Sequence, residues 1–459
     1  MSAHLPLVGH RDLDRAIAWR DGAPISTGRF VADAEALATA LPPGAYLLNL
    51  CDDRYRFMVG FAAALIAGRT TLLPPNRTEQ MLARMARTHP GCTALADEPI
   101  TDARLPVAVF ARGSLDAAPA TRVPSIAGDH LAAIVFTSGS TGEPRPHPKR
   151  WEQLVAGARA EGAALGLAAD AAYNFLGTVP PQHMYGLESS VVTPMAIGGA
   201  IHPARPLLAQ DLKRALQSLP APRVLITTPI HIRACLVSRV SLPPLELVVS
   251  AAAPLAPEAA ANSEQRFHTR VLELYGSSET GVVAVRRPSA SPAFRTMTNV
   301  RLERDGDGWA FTGGHVPGRV PVSDLMQKIS DTEFLLGGRA SDMVNIAGKR
   351  ASLGDLNHKL MEIPGVKDGV FYVPEAPNGR VARLVAFVVA PNLSTGKILA
   401  ALRHSVDPAF LPRPLLKVER LPRAPTGKLP LEALRALGAV AERVAPDESR
   451  AARRTRNDG

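Results

Sequence analysis

The feature that most constrains this chain is a run of six small residues, Thr137-Ser-Gly-Ser-Thr-Gly142, directly after the apolar segment 131–136. The apolar segment predicts a buried strand. The two glycines allow the backbone to turn sharply and bring its N–H groups close to an anion, and the hydroxyl groups add further donors. A strand that runs into such a turn therefore indicates a binding loop for a polyphosphate.

The residues after this loop support the same interpretation. Pro144 ends the tight turn, and Arg145, Lys149 and Arg150 supply positive charge. The alternative interpretation is a flexible Gly/Ser turn without a ligand. A nucleoside-triphosphatase loop of the GxxxxGK[ST] type is excluded, because neither Lys-Ser nor Lys-Thr follows Gly142.

Helical and strand patterns alternate along most of the chain. The segments 34–41, 55–68, 79–88, 151–167 and 258–267 have a helical pattern, and a further helix is expected to begin at Ile230. The segments 45–50, 71–75, 173–177, 224–228, 245–250 and 271–274 are apolar and short enough for buried strands. This alternation predicts an α/β fold in which helices cover both faces of parallel sheets.

Composition narrows the class of protein. A chain of 459 residues with 46% hydrophobic and 20% charged residues is expected to form about two or three globular domains. No apolar run approaches the ~18 residues of a membrane span, and the first residues lack the order of a signal peptide. Three scattered cysteines suggest neither a disulfide framework nor a metal site. We therefore expect a cytoplasmic protein without a membrane span.

The positive charge is concentrated in the last third of the chain. The net charge is +10, and the residues from Arg339 to Gly459 contain 20 Lys/Arg against 12 Asp/Glu. This distribution favours an anionic partner such as a nucleotide, coenzyme A or an acidic carrier protein. Nucleic acid is the competing explanation, but aromatic residues make up only 5% and no nucleic-acid-binding signature is present. Residues 441–459 are expected to form a charged, frayed tail.

Three further segments contain residues suited to nucleotide chemistry. An Ala251-Ala-Ala-Pro254 turn follows one predicted strand, and Tyr275-Gly-Ser-Ser-Glu-Thr-Gly281 follows the next. Between these and the phosphate loop, a segment at 179–189 contains His183 beside two prolines. Taken alone, that histidine is more often a polar loop anchor than a binding residue, and the sequence YGSSE is a weak signal.

In this order, however, the segments resemble those of the adenylate-forming superfamily, which includes acyl- and aryl-CoA synthetases, adenylation domains and luciferases. The family loop usually reads TSGSTGxPK, and Arg145 stands where the lysine is usual. The resemblance implies a catalytic role for Arg145, and it implies that Glu279 is both catalytic and the ligand of Mg²⁺. Tyr275 would stack on adenine, and Ser278 would reach the α-phosphate. The other implied ATP- or AMP-binding residues in this part of the chain are Thr137, Ser138, Gly139, Ser140, Thr141, Gly142, Ala252, Ala253, Gly276 and Ser277.

The resemblance also implies an acid-binding pocket and a ribose-binding carboxylate. The pocket would be formed by His183, Met184, Tyr185, Ser189 and Gly281. Residues 311–314 contain Thr-Gly-Gly, but Asp324 fits the family's ribose-binding aspartate better because it lies 14 residues before Gly338.

The last third of the chain resembles the family's hinge and its terminal motif. Arg339 would contact the ribose or phosphate side and Arg350 a phosphate, and Ser341 would be the hinge, although the family often has Asp or Lys there. Lys428, in the sequence Pro-Thr-Gly-Lys-Leu, matches the catalytic lysine. These matches predict an N-terminal adenylation domain at 1–338 and a mobile C-terminal α+β domain at 339–440, with ATP and the acid meeting between them.

The resemblance implies an ATP- and Mg²⁺-dependent ligase that forms an acyl-adenylate and passes the acyl group to the thiol of coenzyme A or of a carrier protein's phosphopantetheine. The substrate is expected to be an aryl acid such as a hydroxybenzoate. This expectation rests on a weaker similarity to compact ligases of aryl-polyene and xanthomonadin-type pigment biosynthesis. The alternatives are a short- or medium-chain fatty acyl-CoA synthetase and a non-catalytic nucleotide-binding relative.

Overall fold

The computed structural model describes residues 3–100, 105–110, 118–138, 144–238, 240–339, 343–346, 349–374, 384–424 and 429–444. The chain divides into two compact units. Unit 1 comprises Met1–Val322 with Lys328–Leu335, and unit 2 comprises Ser323–Gln327 with Leu336–Gly459.

The strands are short, as expected for buried strands joined by helices. In chain order they are β1 (His4–Pro6), β2 (Ala16–Arg20), β3 (Ala23–Ser26), β4 (Tyr46–Asn49), β5 (Thr70–Leu73), β6 (Cys92–Ala96), β7 (Val107–Val109), β8 (Ser125–Ala127), β9 (Leu131–Ser138), β10 (Pro144–Arg150), β11 (Asn174–Gly177), β12 (Ala200–Ile201), β13 (Arg223–Thr227), β14 (Leu247–Ser250), β15 (Arg270–Ser277), β16 (Gly281–Arg286), β17 (Phe294–Thr296), β18 (Arg301–Asp305), β19 (Gly308–Thr312), β20 (Arg319–Val322), β21 (Asp324–Lys328), β22 (Glu333–Arg339), β23 (Met343–Ile346), β24 (Lys349–Ser352), β25 (Asp368–Tyr372), β26 (Val385–Val389) and β27 (Leu415–Lys417).

The helices alternate with these strands through most of the chain. They are α1 (Thr27–Ala40), α2 (Arg54–Ile66), α3 (Glu79–Thr88), α4 (Trp151–Ala164), α5 (Met184–Leu187), α6 (Thr193–Ile197), α7 (Ala209–Gln217), α8 (Pro229–Val237), α9 (Pro257–Phe267), α10 (Leu353–Glu362), α11 (Thr395–Ser405) and α12 (Leu431–Val444). A π-helix, Glu188–Val192, joins α5 to α6, and a 3₁₀-helix covers Pro408–Phe410.

The first sheet of unit 1 contains the phosphate-loop strand β9 beside the edge strand β10. Its strand order is β10-β9-β5-β4-β6-β7, and all neighbours are parallel except the antiparallel pair β9 and β10. The strands are apolar because both faces are covered: Leu48, Leu72 and Phe136 pack with Leu82 and Met85 of α3 in one core. This layering places the end of β9 at the carboxyl edge of the sheet, where ligands of open α/β sheets usually bind.

The second sheet of unit 1 is larger and mixed. Strands β15, β14, β13, β11, β12 and β2 are parallel neighbours in that order. Beyond β15, the strands β16, β17 and β22 continue the order in antiparallel pairs, and β3 pairs antiparallel with β2. Side chains of α7, α8 and α9 pack on the sheet in one core with Leu225 and Val248. A separate three-stranded sheet has the order β18-β19-β20.

Unit 2 has its own cores. Strands β25 and β26 pair antiparallel and β26 and β27 pair parallel, while β23 and β24 form a separate hairpin. Leu356 and Leu360 of α10 pack with Ile398 and Leu402 of α11 and with Phe371. The predicted α/β fold with a large N-terminal and a smaller C-terminal part is confirmed.

Strands β2, β3 and β10 are among the elements that were not predicted from the sequence. Strands β2 and β3 extend the second sheet with residues from the N-terminal segment. Strand β10 contains three prolines, which argue against a central strand, but it lies at the edge of its sheet, where a missing N–H is tolerated.

Two absences concern only the part of the chain that the structure describes. Among those residues, no helix is both long and apolar enough to span a bilayer. Cys51, Cys92 and Cys235 all lie in that part and are buried free thiols, in agreement with the expected lack of a disulfide framework.

Candidate active site

The hairpin of β9 and β10 presents basic residues on one face. In β10, Arg145, His147 and Lys149 alternate with prolines, and residues two apart in a strand share a face. Arg145 pairs with Thr137, and His147 with Val135. Arg145 is exposed, while Lys149 is buried, so the charges that the sequence assigned together to the phosphate loop lie at different depths.

His147 links the phosphate-loop strand to the acidic motif. Its Nε2 lies 2.9 Å from the Thr137 hydroxyl oxygen and 3.6 Å from Glu279 Oε1. Burial is the main cause that lowers the pKa of His147, with Lys149 and Arg145 acting in the same direction and Glu279 opposing them. The structure therefore brings Thr137 and Glu279, two predicted site residues 142 positions apart, to either side of one half-buried imidazole.

Glu279 lies on the tight turn between β15 and β16. Ser277 and Thr280 close this turn, since each backbone N–H donates to the other's side-chain oxygen at 3.1–3.2 Å. Burial would raise the pKa of the Glu279 carboxyl, but hydrogen bonds from the Ser277 hydroxyl and from its own backbone amide outweigh it. The positive charges of His147 and Lys149 also lower this pKa. The carboxylate is thus held ionised, and it remains 46% exposed.

This carboxylate fits a divalent cation. Mg²⁺ prefers hard oxygen ligands and is usually bound through one or two carboxylates together with phosphate oxygens of the substrate. Glu279 is ionised and accessible, and it lies beside the strand that leads into the phosphate loop. The residues present are therefore compatible with Mg²⁺ held between Glu279 and a bound polyphosphate.

Lys149 is not a surface cation. Its side chain is 3% exposed, and its Nζ donates a hydrogen bond of 2.8 Å to the backbone carbonyl of Glu279. Burial lowers its pKa, and the opposite charges of Glu188 and Glu279 counteract that effect. Lys149 therefore acts on the acidic turn itself.

Glu188 is a buried carboxyl that interacts electrostatically with Lys149. Its Oε2 accepts a hydrogen bond of 3.1 Å from the backbone N–H of Val282. Burial raises its pKa to about 7, while the charge of Lys149 and the bond from Val282 lower it. Gly281 has φ +75°, and a Cβ there would lie 2.5 Å from Glu188 Oε1, so only glycine leaves room for this carboxyl.

The segment expected to line the acid pocket is helical. His183 precedes α5, and the chain continues through the π-helix Glu188–Val192 into α6. Single-turn π segments inside helices occur frequently at functional sites. Met184 is 7% exposed, Ser189 is fully buried, and His183 is half-buried. The Tyr185 hydroxyl lies 3.0 Å from the carbonyl of Thr227 and 3.1 Å from that of Val249, at the carboxyl ends of two parallel strands.

Residues near the start of α2 hold this segment in place. Arg54 is 1% exposed and donates to the carbonyls of Gly177 and Val179 and to the Ser190 hydroxyl at 2.8–3.0 Å. Burial lowers its pKa to about 9. Gln182 donates to the carbonyl of Cys51 at 2.6 Å. These contacts fix the approach of the chain to His183.

The turn predicted to lie against adenine has an unusual backbone. Ala252 has φ +73°, a conformation that costs an L-residue roughly 1–2 kcal/mol and that glycine adopts freely. Ala253 has no positive φ and is exposed. Alanine reaches this conformation less easily than glycine, and the turn nevertheless has an alanine there.

Tyr275 lies in an aromatic cluster. Its ring centroid is 5.7–6.0 Å from those of Phe294, Phe311 and Phe334, in tilted or edge contacts. The ring is half-buried, so the cluster fixes it without covering it completely. Gly276 is exposed, and Ser277 and Ser278 are half-buried at the start of the Glu279 turn.

The remaining predicted site residues are described only in part. Gly139, Ser140, Thr141, Gly142, Ser341 and Lys428 lie outside the described residues. Ser138 ends β9, Arg339 ends β22 and Arg350 lies in β24, opposite Asn345. Asp324 begins β21, in unit 2, and is half-buried. The assigned roles of all these residues remain predictions.

Some residues of this site were not predicted from the sequence in the positions that the structure shows. His147 was not singled out, Lys149 was taken for part of a phosphate-facing charge, and Arg54 was not considered. Proline alternates with basic residues at 144–149, and this alternation could have indicated that His147 and Lys149 lie on one face of a strand. No local signal indicates Arg54, since its partners lie more than 120 positions away.

Comparison with known proteins identifies the family that the chain resembles. The family model described as AMP-binding enzyme matches residues 45–303. A 4-coumarate–CoA ligase of Rhodobacter capsulatus is 30% identical over 60% of this chain and 67% of its own length. A sulfoacetate–CoA ligase of Cupriavidus necator is 25% identical over 86% of this chain and 87% of its own length.

A solved structure shows the same fold over nearly the whole chain. An anthranilate CoA ligase bound to anthranoyl-AMP superposes with a TM-score of 0.81 at 14% identity, covering 96% of this chain and 99% of its own. The chain belongs to the AMP-binding enzyme family. Within that family it is an AMP-forming acid–thiol ligase.

Proposed function

We propose that this enzyme activates an aryl acid with ATP as an acyl-adenylate, and that a thiol then attacks the acyl carbon and displaces AMP to form a thioester. The observation that carries the proposal is the position of Glu279. Its ionised carboxylate lies 3.6 Å from His147, which in turn contacts Thr137 at the end of the phosphate-loop strand.

The acid's carboxylate oxygen attacks the α-phosphorus of ATP, and the P–O bond to the β-phosphate breaks. Pyrophosphate leaves with its electron pair, and the acyl-adenylate remains. Mg²⁺ held by Glu279 would supply charge neutralisation on the phosphates when bound. The resemblance implies that Tyr275 and Ala252 with Ala253 contact the adenine, that Ser278 reaches the α-phosphate, and that Asp324 binds the ribose hydroxyls.

The proposed roles of the basic residues follow the charge that develops on phosphorus. Arg145 is exposed on β10 two positions before His147, where it can contact a phosphate oxygen. Lys428 would bridge the acid's carboxylate and the α-phosphate, and Arg339 and Arg350 would contact the ribose or phosphates. Ser341 is the proposed hinge at which the second unit turns after adenylation.

We assign the acid pocket to His183, Met184, Tyr185, Ser189 and Gly281. The buried Met184 and the ring of Tyr185 give an apolar wall, which favours an aromatic acid over a small charged one. Glu188 gives no free carboxylate for an amino-acid ammonium group, because it already accepts from Val282 and faces the charge of Lys149. The named relatives include ligases of an aromatic acid and of sulfoacetate, so the substrate class needs a direct test.

A panel of acids in the pyrophosphate exchange assay tests the substrate class. We expect hydroxybenzoates and cinnamates to support exchange better than fatty acids, α-amino acids or sulfoacetate. The variant Ser189→Ala removes a hydroxyl from the proposed pocket at a fully buried position and adds no charge. It should change the order in which aryl acids support pyrophosphate exchange. Faster exchange with medium-chain fatty acids or α-amino acids would overturn the aryl assignment.

The thiol acceptor is proposed to be coenzyme A or the phosphopantetheine of a carrier protein, with a preference for the carrier. The surplus of Lys/Arg after residue 338 would attract an acidic carrier and make its capture sensitive to salt. Parallel acyl-transfer assays with both acceptors decide between them. Saturation by micromolar coenzyme A without turnover of any carrier would reverse the preference.

A further inference from the structure

The turn that carries Glu279 is held from both sides by buried charges. Lys149 Nζ donates to the carbonyl of Glu279 at 2.8 Å, and Glu188 Oε2 accepts from the N–H of Val282 at 3.1 Å. Only Thr280 and Gly281 lie between these two anchored positions. We propose that Lys149 and Glu188 form a clamp that fixes this turn so that the Glu279 carboxylate is positioned for Mg²⁺.

Burial shows that these contacts are built into the fold. Lys149 and Glu188 are each 3% exposed, and each acts electrostatically on the other. Removing charged groups from water costs free energy that their mutual attraction often does not repay. The stability of the fold therefore does not explain why two charged residues are buried here. Their effect on the orientation of Glu279 does explain it.

The geometry of Gly281 makes the clamp specific to this turn. Its φ of +75° lets the chain turn back into β16, and the absence of a Cβ leaves room for Glu188 Oε1. The carboxyl can then reach the next backbone N–H, that of Val282. The clamp thus acts on the backbone and leaves the Glu279 carboxylate 46% exposed for a ligand.

The two residues are positioning residues, since neither is placed on a reacting atom. Groups that orient a metal ligand from behind typically change metal affinity or activity by roughly 10–100-fold when they are removed. The inference rests on the proposed role of Glu279 as the Mg²⁺ ligand, and the experiment separates the two.

The principal variant is Lys149→Met, which keeps the length of the side chain but removes both the donor and the charge. Free Mg²⁺ is titrated at saturating ATP, with the best acid from the panel, and pyrophosphate exchange is measured. We expect the Mg²⁺ concentration for half-maximal exchange to rise roughly tenfold with little change in KM for the acid. Binding of Mn²⁺ together with ATP, followed by electron paramagnetic resonance, should weaken in parallel.

Matched variants exclude a general loss of structure. Lys149→Met leaves Glu188 buried without its cation, so the double variant Lys149→Met/Glu188→Gln is measured as well, because it contains no unpaired buried charge. It should recover thermal stability but keep the raised Mg²⁺ requirement. The control is Asp33→Asn. Asp33 is 2% exposed and its carboxylate accepts a hydrogen bond from the Tyr55 hydroxyl, so this variant should lower stability without changing the Mg²⁺ requirement.

The outcomes distinguish the two claims. If Glu279→Gln keeps the Mg²⁺ dependence of the wild type, the role of Glu279 itself is wrong. If Glu279→Gln loses exchange while the double variant keeps the wild-type Mg²⁺ requirement and Mn²⁺ binding, the clamp is refuted and the role of Glu279 stands.

Discussion

Ala252 is a single residue whose backbone conformation conflicts with its side chain. At φ +73° its Cβ crowds the carbonyl oxygen, a strain that local structure retains at many functional turns. The strain lies in the turn that we assign to adenine, after β14. The position therefore allows the energetic cost of that turn to be measured apart from its function.

We predict that Ala252→Gly raises the free energy of unfolding by about 0.5–1 kcal/mol, because relief of the left-handed strain exceeds the entropy that glycine adds to the unfolded chain. Denaturant unfolding measures it. Ala253→Gly is the matched control, since Ala253 has no positive φ, and there the same substitution should be destabilising. A loss of stability in both variants would show that Ala252 is not strained.

At the scale of elements, α4 is attached to the pocket-forming helices through a buried carboxyl. Glu161 of α4 is 1% exposed, and its Oε2 accepts from the Thr193 hydroxyl, at the start of α6, at 3.1 Å. Its pKa is raised to about 8, mainly by burial and also by the nearby Glu188, against the lowering effect of the hydroxyls of Ser189 and Thr193. At neutral pH this carboxyl is therefore mostly protonated in the folded protein.

The raised pKa gives the stability of the fold a defined pH dependence. In the unfolded chain Glu161 ionises near pH 4.5, whereas in the folded protein it ionises near pH 8. Between these values the folded state binds more protons than the unfolded chain. The stabilisation that this group gives the folded state is therefore fully present below pH 4.5 and is lost as the pH rises towards 8. We predict that Glu161→Gln, which keeps an acceptor for Thr193, becomes progressively more stable than the wild type from pH 5 to pH 8.5.

Unfolding curves of both proteins at several pH values measure this difference. A difference that stays constant from pH 5 to pH 8.5 would show that Glu161 ionises in the folded protein at its ordinary pH. Pyrophosphate exchange at pH 7 should persist in the variant, because the carboxyl it replaces is uncharged there.

The same elements show what the sequence could indicate. Helix α3 was predicted with its observed bounds, because ten residues of periodic pattern follow Thr78, whose side chain accepts from the N–H of Met81. The π-helix Glu188–Val192 was not predicted, since a single widened turn leaves no trace in an apolar pattern. The contact of Lys149 with Glu279 spans 130 residues and exists only once the two strands are folded.

At the scale of the whole molecule, the two half-reactions are proposed to depend on different residues. The residues of unit 1 are proposed to bind ATP and Mg²⁺, whereas Lys428 belongs to the last third of the chain and lies outside the described residues. The proposed roles of Glu279 and of the phosphate loop were assigned from motifs. The support from Arg54, His147 and Lys149 was not, because it arises from contacts between distant segments.

We predict that Lys428→Ala slows adenylation by roughly 10²-fold or more, because the repulsion between the acid's carboxylate and the α-phosphate is no longer relieved. Transfer of the acyl group from a supplied acyl-adenylate to the thiol should continue near the wild-type rate. Separate assays of the two half-reactions measure this, and circular dichroism confirms folding. Equal loss of both half-reactions would contradict the assignment.

The prolines of β10 have a consequence for the behaviour of the protein in solution. Pro144, Pro146 and Pro148 alternate along an edge strand, so the positions whose N–H would point away from β9 have no hydrogen to donate. The outer rim of this sheet therefore presents acceptors without donors, and a strand from another molecule cannot extend it. Replacing Pro146 and Pro148 by threonine would restore two donors, and light scattering should then show association that increases with protein concentration. Strand β10, which follows the phosphate loop, thus also protects the enzyme against edge-to-edge aggregation.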